Sequence, residues 1–316
     1  MPTRKSPRKG SLQFWPRKRA NKFLPSVNWD AIDSAPVKNL KGFIAYKAGM
    51  MSAIVKDSTE HSMTKGKKIA MPATILECPP MKIFSVRFYK HGKVAEEVLA
   101  GNPDKELKRK VKLPKAVIKK IESVKPENYD DIRVIAYSIV NKTNLKKTPD
   151  ISEIGLKGTV EEKLAFVNAH LGKEISVADV FEKGQLVDAR GLSRGRGFQG
   201  PVKRFGITLR FHKTEKGQRK VGSIAPWNPS RVTFRTPMAG QLGMFTRAVY
   251  NNKILEIEKA ENKKLDGIKN YGEIKTDYLI VRGSIQGPSK RQLLLTAPLR
   301  KTKKQTKKNL EFTELR

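Results

Sequence analysis

The sequence predicts a mainly β protein: a β-rich body interrupted by a helical insertion and carrying long basic extensions. Three observations lead to that class. Short runs rich in Ile, Val, Phe and Tyr recur and are broken by Gly and Pro, as in GFIAYKAGMMSAIV, KKIAMPATILECPP and KIFSVRFYK. Such runs suit strands of an antiparallel sheet or barrel, because β-branched and aromatic side chains pack well on a pleated surface. One segment, near residue 165, stands out as a capped amphipathic helix. The charge is far from balanced: the 316 residues hold 65 Lys and Arg against 30 Asp and Glu, a formal net charge of +35, and the excess gathers in three stretches.

Taken in order, residues 1–36 read as an extended basic tail. Arg4, Arg8, Arg17, Lys18 and Arg19 are among its cations, no acid precedes Asp30, and Phe14, Trp15 and Phe23 are interleaved with Pro7, Pro16 and Pro25. Proline keeps such a segment extended, so its cations can lie on phosphates and its rings can stack on bases. Residues 37–92 hold the strand-like runs quoted above. Residues 93–129 are charged and helix-prone, and LPKAVIKKIESV places Val117, Ile118, Ile121 and Val124 on one helical face after Pro114. A small helical insertion is expected there. Residues 130–190 return to the body. DIRVIAYSIV alternates as a strand, and Thr159 and Glu162 have capping-box spacing ahead of VEEKLAFVNAHL, with Gly172 as the stop. Leu164, Val167 and Leu171 share the face that this helix turns to the sheet. Ser176 to Phe181 reads as a further short helical turn, and QLVDARGL as a strand leading into the longest basic stretch.

That stretch, residues 191–244, reads as a central finger. Between Asp188 and Glu256 the only acid is Glu215. With so little apolar periodicity the finger cannot close a core of its own, and the entropy lost on ordering it must be offset from outside. Arg190 stands at its root, followed by Arg194, Arg196, Lys203 and Arg204, then Lys213, Arg219, Lys220, Arg231 and Arg235. Gly195, Gly197 and Gly200 lie among them, where a missing side chain lets the backbone approach a phosphate while guanidinium groups neutralise it. The same glycines match the dinucleotide fingerprint G-x-G-x-x-G. That fingerprint works only when a helix opens at its end, and PVKRFGITLRF is a poor helix former. Residues 245–290 rejoin the body, with TRAVYNNKILEIEK as a hairpin-like pair around Asn251 and Asn252 and YLIVRGSI as a strand. Residues 291–316 read as a second basic extension, with no acid between Asp277 and Glu311. Nothing internal compensates the charge of these extensions, so they are expected to be disordered in the free protein.

A net charge of +35 makes a free compact protein repel itself, and nucleic acid is the common partner at such density. A membrane surface fits poorly: no run approaches the roughly 18 apolar residues of a spanning helix, and the basic segments lack a continuous amphipathic face. The single cysteine, Cys78, excludes an intramolecular disulfide and reads as a small buried hydrophobe. His61, His91, His170 and His212 have no second ligand at zinc spacing, so no metal site is expected. The start, MPTRKSPRKG, has no apolar run behind it and does not read as a secretory signal. Basic projections on a folded body suit folded RNA, whose grooves they fill, better than duplex DNA, which is usually read by one helix. Two other classes stay open: an RNA-processing enzyme with a site on the β body, for which Asp188 and His212 are candidates without evident partners, and a chromatin-type protein that compacts DNA.

From Phe181 to Arg204, FEKGQLVDARGLSRGRGFQGPVKR places Asp188, Gly191, Ser193, Gly195, Arg196, Gly197, Gly200 and Arg204 in a spacing that resembles the universal large-subunit ribosomal protein L-three family. PRKGSLQFWPRKRA, KAGMM, GTVEEKLAFVNAHLGKEISVADVF and MAGQLGMFTRAVYNNKI carry the resemblance over nearly the whole chain. GSLQFWPRKR and the large insertion are similar to the archaeal and eukaryotic branch, and the short C-terminus to the archaeal one. The resemblance implies a translation-protein-like six-stranded β-barrel with an inserted α/β portion. It implies a structural constituent of the large ribosomal subunit in the cytoplasm, which binds 23S rRNA near its 3′ end, supports early assembly and reaches toward the peptidyl transferase centre. Neighbouring large-subunit proteins are the expected partners. No enzyme activity, membrane contact or homo-oligomer is expected, and no cofactor beyond structural Mg or K ions held through the RNA. Trp227, between Pro226 and Pro229 in IAPWNPSRV, matches the finger-tip tryptophan of archaeal and eukaryotic members; a local hydrophobic anchor is the other reading of it. Where eukaryotic members carry a modified histidine in a K-T-H-R-G segment, this chain has KTEKG with Glu215, so no modification is expected there.

Overall fold

The computed structural model describes residues 7–32, 38–101, 103–114, 121, 124 and 126–316. Arg4 and most of the helix expected after Pro114 lie outside them. The chain divides into two compact units, residues 1–22 with 192–247 and residues 23–191 with 248–316. In chain order the elements are β1 (Gly42–Asp57), β2 (Lys68–Glu77), β3 (Met81–Lys90), β4 (Lys93–Leu99), β5 (Asp131–Ser138), β6 (Ile151–Gly155), α1 (Val160–His170), β7 (Leu186–Leu192), β8 (Phe198–Gln199), α2 (Pro201–Phe205), β9 (Gly240–Gln241), β10 (Thr246–Glu258), β11 (Tyr278–Arg282), β12 (Gln292–Thr296), α3 (Lys303–Thr306) and β13 (Leu310–Leu315).

The larger unit is built on β1. Its first seven residues, GFIAYKA, are buried without a break and the later ones alternate, as in a strand covered on both faces at one end. β1 pairs antiparallel with β2 from Tyr46–Glu77 to Lys56–Lys68. Its other edge is shared, by β12 from Gly42–Thr296 to Tyr46–Gln292 and by β13 from Ala53–Leu315 to Asp57–Leu310. The strand order is β12-β7-β10-β11-β2-β1-β13, and the β12–β1 pairing closes six of these strands into a ring. The mainly β class and the count of six agree with expectation. The β1–β2 register shifts between Lys47 and Gly49, and a Cβ on Gly49 would lie 2.8 Å from Ile268 Cγ2, so any larger residue there must displace that side chain.

A second sheet, β4-β3-β5-β6, completes the unit. One core joins Phe43, Ile44, Tyr46 and Leu295 of the ring to Ile83, Val86, Phe88, Ile132 and Val134 of this sheet, each contributing about 2 kcal/mol by its burial. The alternate residues Phe84, Ile135 and Tyr137 form a separate cluster with Leu107 on the sheet's other face. Helix α1 is capped as expected: Glu162 Oε2 accepts the Thr159 N–H at 3.0 Å, and Thr159 Oγ1 accepts the Glu162 N–H at 3.4 Å. Val167 is fully buried, and Leu164 and Leu171 pack on the same core.

Four readings of the sequence need correction. The charged run Lys93–Leu99, placed in a helical insertion, is strand β4, paired to β3; Glu97 accepts Arg87 Nε at 2.8 Å, so its charges serve as cross-strand partners. Residues 291–316 are more than a basic extension, since they contain β12 and β13. PVKRF does form a helix, α2, with Gly200 at its N-cap and Pro201 in its first turn, where the missing N–H costs nothing. The hairpin at Asn251 and Asn252 is absent, and β10 runs straight through. A two-residue type I′ turn needs positive φ at both central residues, and only Asn251 has it, at 55°. The fully buried Asp188 carboxylate accepts the Asn251 N–H at 2.8 Å and the Leu299 N–H at 2.9 Å, holding the positive-φ Asn251 within the strand. Burial raises the Asp188 carboxyl above the usual carboxylate range, against the two N–H groups that lower it. Its partners are structural, and nothing in them resembles a catalytic constellation.

Candidate nucleic-acid interface

The smaller unit holds twenty Lys and Arg and one acid, Glu215. β8 and β9 pair antiparallel, Phe198 opposite Gln241 and Gln199 opposite Gly240. The ladder continues through Arg196 N–H to Leu242 O at 2.9 Å, Leu242 N–H to Gly197 O at 2.8 Å and Ser193 N–H to Phe245 O at 2.9 Å. Gly243, at φ 79°, sits where a Cβ would be 2.0 Å from Arg194 O, so only glycine passes there. Helix α2 has five residues and stops at Gly206, at φ 66°. The strand before it pairs antiparallel with β9 rather than continuing a parallel strand–helix–strand unit, so the dinucleotide fingerprint lacks its fold.

Rings close this unit. Trp15 stacks on Phe205 with centroids 5.4 Å apart and 21° between planes, and meets Phe234 edge-on at 6.2 Å. Phe205 is buried, with Arg17 Cζ 4.3 Å and Arg204 Cζ 5.0 Å from its centroid. Arg8 lies over Trp15, Arg235 over Phe234, and Arg247 over Phe14 and Phe245. Such contacts attract a cation to a ring's negative face without cancelling its charge. Burial, then the neighbouring Arg204 and Arg247, lowers the pKa of Arg17, and burial lowers that of Arg204. The finger therefore gains from the N-terminal segment part of the packing that it cannot supply for itself.

The candidate residues separate by exposure. Arg8, Lys18, Arg19, Arg194, Arg196, Lys203, Lys213, Arg219, Lys220, Arg231 and Arg235 are exposed, and among the described residues none is paired with a carboxylate. Trp15, Arg17 and Arg204 are half-buried and engaged within the unit. Arg190 lies in β7 of the larger unit, where its Nε donates to Thr296 Oγ1 at 3.1 Å. Gly197 and Gly200 have open space where a Cβ would stand, which leaves their backbone approachable; at Gly195 that space is met by the Met244 side chain at 3.0 Å. Trp227 is 97% exposed, so it anchors nothing local. Sequence reasoning missed Phe205 and Phe234, which organise the unit, and Phe211, 67% exposed beside His212 with ring centroids 4.3 Å apart. The signal available is that QFWPRKR and PVKRF are both aromatic and basic with no apolar partner nearby in sequence.

Among the described residues no group of three or more His, Cys, Asp or Glu side chains converges to hold a metal, and no helix is long and apolar enough to cross a membrane. Cys78 is buried, which pushes its thiol pKa up and away from reactivity. The arrangement can neutralise polyanions and present flat apolar surfaces.

A family model described as ribosomal protein L3 matches residues 1–315. The chain is 40% identical over 310 residues to the large ribosomal subunit protein uL3 of Methanocaldococcus jannaschii, spanning 93% of this chain and 91% of that protein. It is 41% identical over 316 residues to the uL3 protein of Methanobrevibacter smithii, spanning 94% and 93%. To that of Archaeoglobus fulgidus it is 38% identical over 311 residues, spanning 94% and 93%.

Proposed function

The chain belongs to the ribosomal protein L3 family, and on that premise we propose that it is a structural constituent of the large ribosomal subunit, seated on ribosomal RNA through its basic unit. Members of this family are ribosomal structural proteins, and the chain is not an enzyme. The observation that carries the RNA reading is the exposed set Arg8, Lys18, Arg19, Arg194, Arg196, Lys203, Lys213, Arg219, Lys220, Arg231 and Arg235, none paired with a carboxylate among the described residues, in a unit whose sequence has Glu215 as its only acid. Cations of this kind replace the counterions of closely packed phosphates and let RNA helices approach. Phe14, Phe198 and Trp227, all exposed, supply surfaces on which bases stack. Trp15 serves the unit's own packing instead.

The finer reading follows the family. The chain binds 23S rRNA near its 3′ end, supports early subunit assembly, abuts neighbouring large-subunit proteins and directs Trp227 toward the peptidyl transferase centre of cytoplasmic ribosomes. Ions at the interface, Mg or K, are held by the RNA. Ultraviolet crosslinking from cells carrying a tagged copy, with sequencing of the attached RNA, tests this. Crosslinks gathered in the 3′ domain and the peptidyl transferase region of large-subunit RNA are expected; crosslinks spread over many transcripts or on DNA would overturn it.

A further inference from the structure

We propose that Arg17 and Arg204 form a clasp that fixes the N-terminal segment to the α2 loop, positioning the RNA-binding surface rather than binding phosphate. Charge and motif place both among the expected RNA contacts, yet their donors point inward. Arg204 Nε donates to Gln241 O at 2.9 Å, Nη1 to Met238 O at 2.9 Å and Nη2 to Arg17 O at 3.3 Å. One guanidinium thus ties three stretches of chain together. Arg17 returns the bond, its Nη1 donating to Arg204 O at 2.6 Å, so two residues 187 positions apart exchange hydrogen bonds with each other's main chain.

The surroundings are shaped for this arrangement. Both guanidinium groups lie over the ring of Phe205, on which Trp15 also stacks. Two glycines provide the clearance: a Cβ on Gly10 would lie 2.6 Å from Phe205 Cδ1, and one on Gly240 would lie 3.0 Å from Arg204 Cζ. An arginine that binds phosphate presents an open fork of N–H groups to the phosphate oxygens, whereas all three nitrogens of Arg204 already donate to carbonyls. Lysine cannot substitute, because a single ammonium nitrogen cannot span three acceptors set in a guanidinium's plane. The clasp determines where Lys18 and Arg19 stand relative to Lys203.

The test uses the full chain and large-subunit rRNA transcribed in vitro, titrated across a range of KCl, with hydrogen exchange of residues 8–22 followed in the complex and in the free protein. Arg204→Lys keeps the charge, so it should weaken binding roughly tenfold through lost geometry alone, leave the salt dependence unchanged and speed exchange in residues 8–22; Arg17→Lys, which can still donate to the one carbonyl that Arg17 reaches, should act in the same direction with a smaller effect. Arg196→Gln should instead lower the slope of log affinity against log salt by about 0.7–0.9, one phosphate's worth, and leave exchange alone. Arg204→Lys indistinguishable from the parent in both readouts would overturn the proposal. So would Arg204→Gln lowering the salt slope by one phosphate while residues 8–22 stay protected. Exchange in β1 and β3 reports separately that the larger unit is folded. The binding arm rests on the ribosomal reading: absence of any salt-dependent binding would remove that reading, and exchange in the free protein would still decide the clasp, equal protection in Arg204→Lys and parent counting against it.

Discussion

In the larger unit Arg133 donates to Asp30 at 2.7 Å, Asp131 at 2.9 Å and Glu153 at 3.3 Å while lying over Tyr89; in the smaller unit Arg204 donates to three carbonyls and lies over Phe205. Both guanidinium groups are satisfied, but a carboxylate cancels the charge that it binds and a carbonyl does not. The larger unit also buries lysines on carbonyls, as Lys47 on Ile285 and Gly287, with a pKa lowered by burial. What it has in addition is ion pairs, such as Arg87 with Glu97 and Glu153 and Lys163 with Asp131. The smaller unit is ordered by contacts that leave its field intact, which is the condition for a surface that is to meet a polyanion.

The contrast can be broken most forcefully at Arg133. Its side chain is 14% exposed, and Arg133→Ala leaves three carboxylates without their shared cation, an expected loss of about 3 kcal/mol measured by thermal or denaturant unfolding. A loss near zero would mean that the network behaves as a solvated surface cluster. Gly243→Ala forces a Cβ onto Arg194 O and should cost about 2 kcal/mol, felt as faster exchange around Ser193 to Gln199 with β1 and β3 unchanged; loss of protection in β1 would show that the units are not independently ordered. Trp227→Ala should leave stability within about 0.5 kcal/mol yet weaken binding to large-subunit RNA by about 1 kcal/mol. Destabilisation without loss of affinity would reassign the ring to packing.

The smallest effect concerns pH and sharpens the larger unit's side of the contrast. The Asp57 carboxylate accepts the Ser62 hydroxyl at 2.7 Å, the Thr59 N–H at 3.0 Å and the Thr64 hydroxyl at 2.6 Å. These donors, Ser62 first, hold it far below the usual carboxylate range. Because the folded pKa is depressed, the stabilisation is fully present above the unfolded value of about 3.9 and is lost as pH falls through the folded value. Asp57→Asn should therefore lower stability at pH 7 and flatten the acid limb of the stability curve. An unchanged limb would show that the loop frays before the carboxylate titrates.

Much of the larger unit was legible in sequence because its signals are local. The apolar runs of β1, β2 and β3 and the Thr159–Glu162 box each need only neighbours to be recognised. β4 and β13 were not, for opposite reasons. KVAEEVL carries its pairing in charges that find partners only across the sheet, and LEFTEL alternates correctly but follows KTKKQTKK, whose charge hides it. Asn251 mimics a turn, and only Asp188, 63 positions away, explains why the chain does not reverse. In the smaller unit the cations were evident and their division was not. Whether an arginine faces solvent, like Arg196, or a carbonyl, like Arg204, is decided by contacts as remote as residue 17, and composition does not encode them.

The shared edge of β1 also sets a timetable. Its hairpin partner β2 follows within eleven residues, but β12 and β13 begin at Gln292 and Leu310, so its second edge waits for the last part of the chain. At a synthesis rate of about 5–20 residues per second, β1 spends on the order of ten seconds or more as an open, strongly apolar template while a highly cationic chain lengthens behind it. Nascent molecules of this protein are thus most vulnerable to strand-to-strand association and to unspecific capture by RNA during that interval.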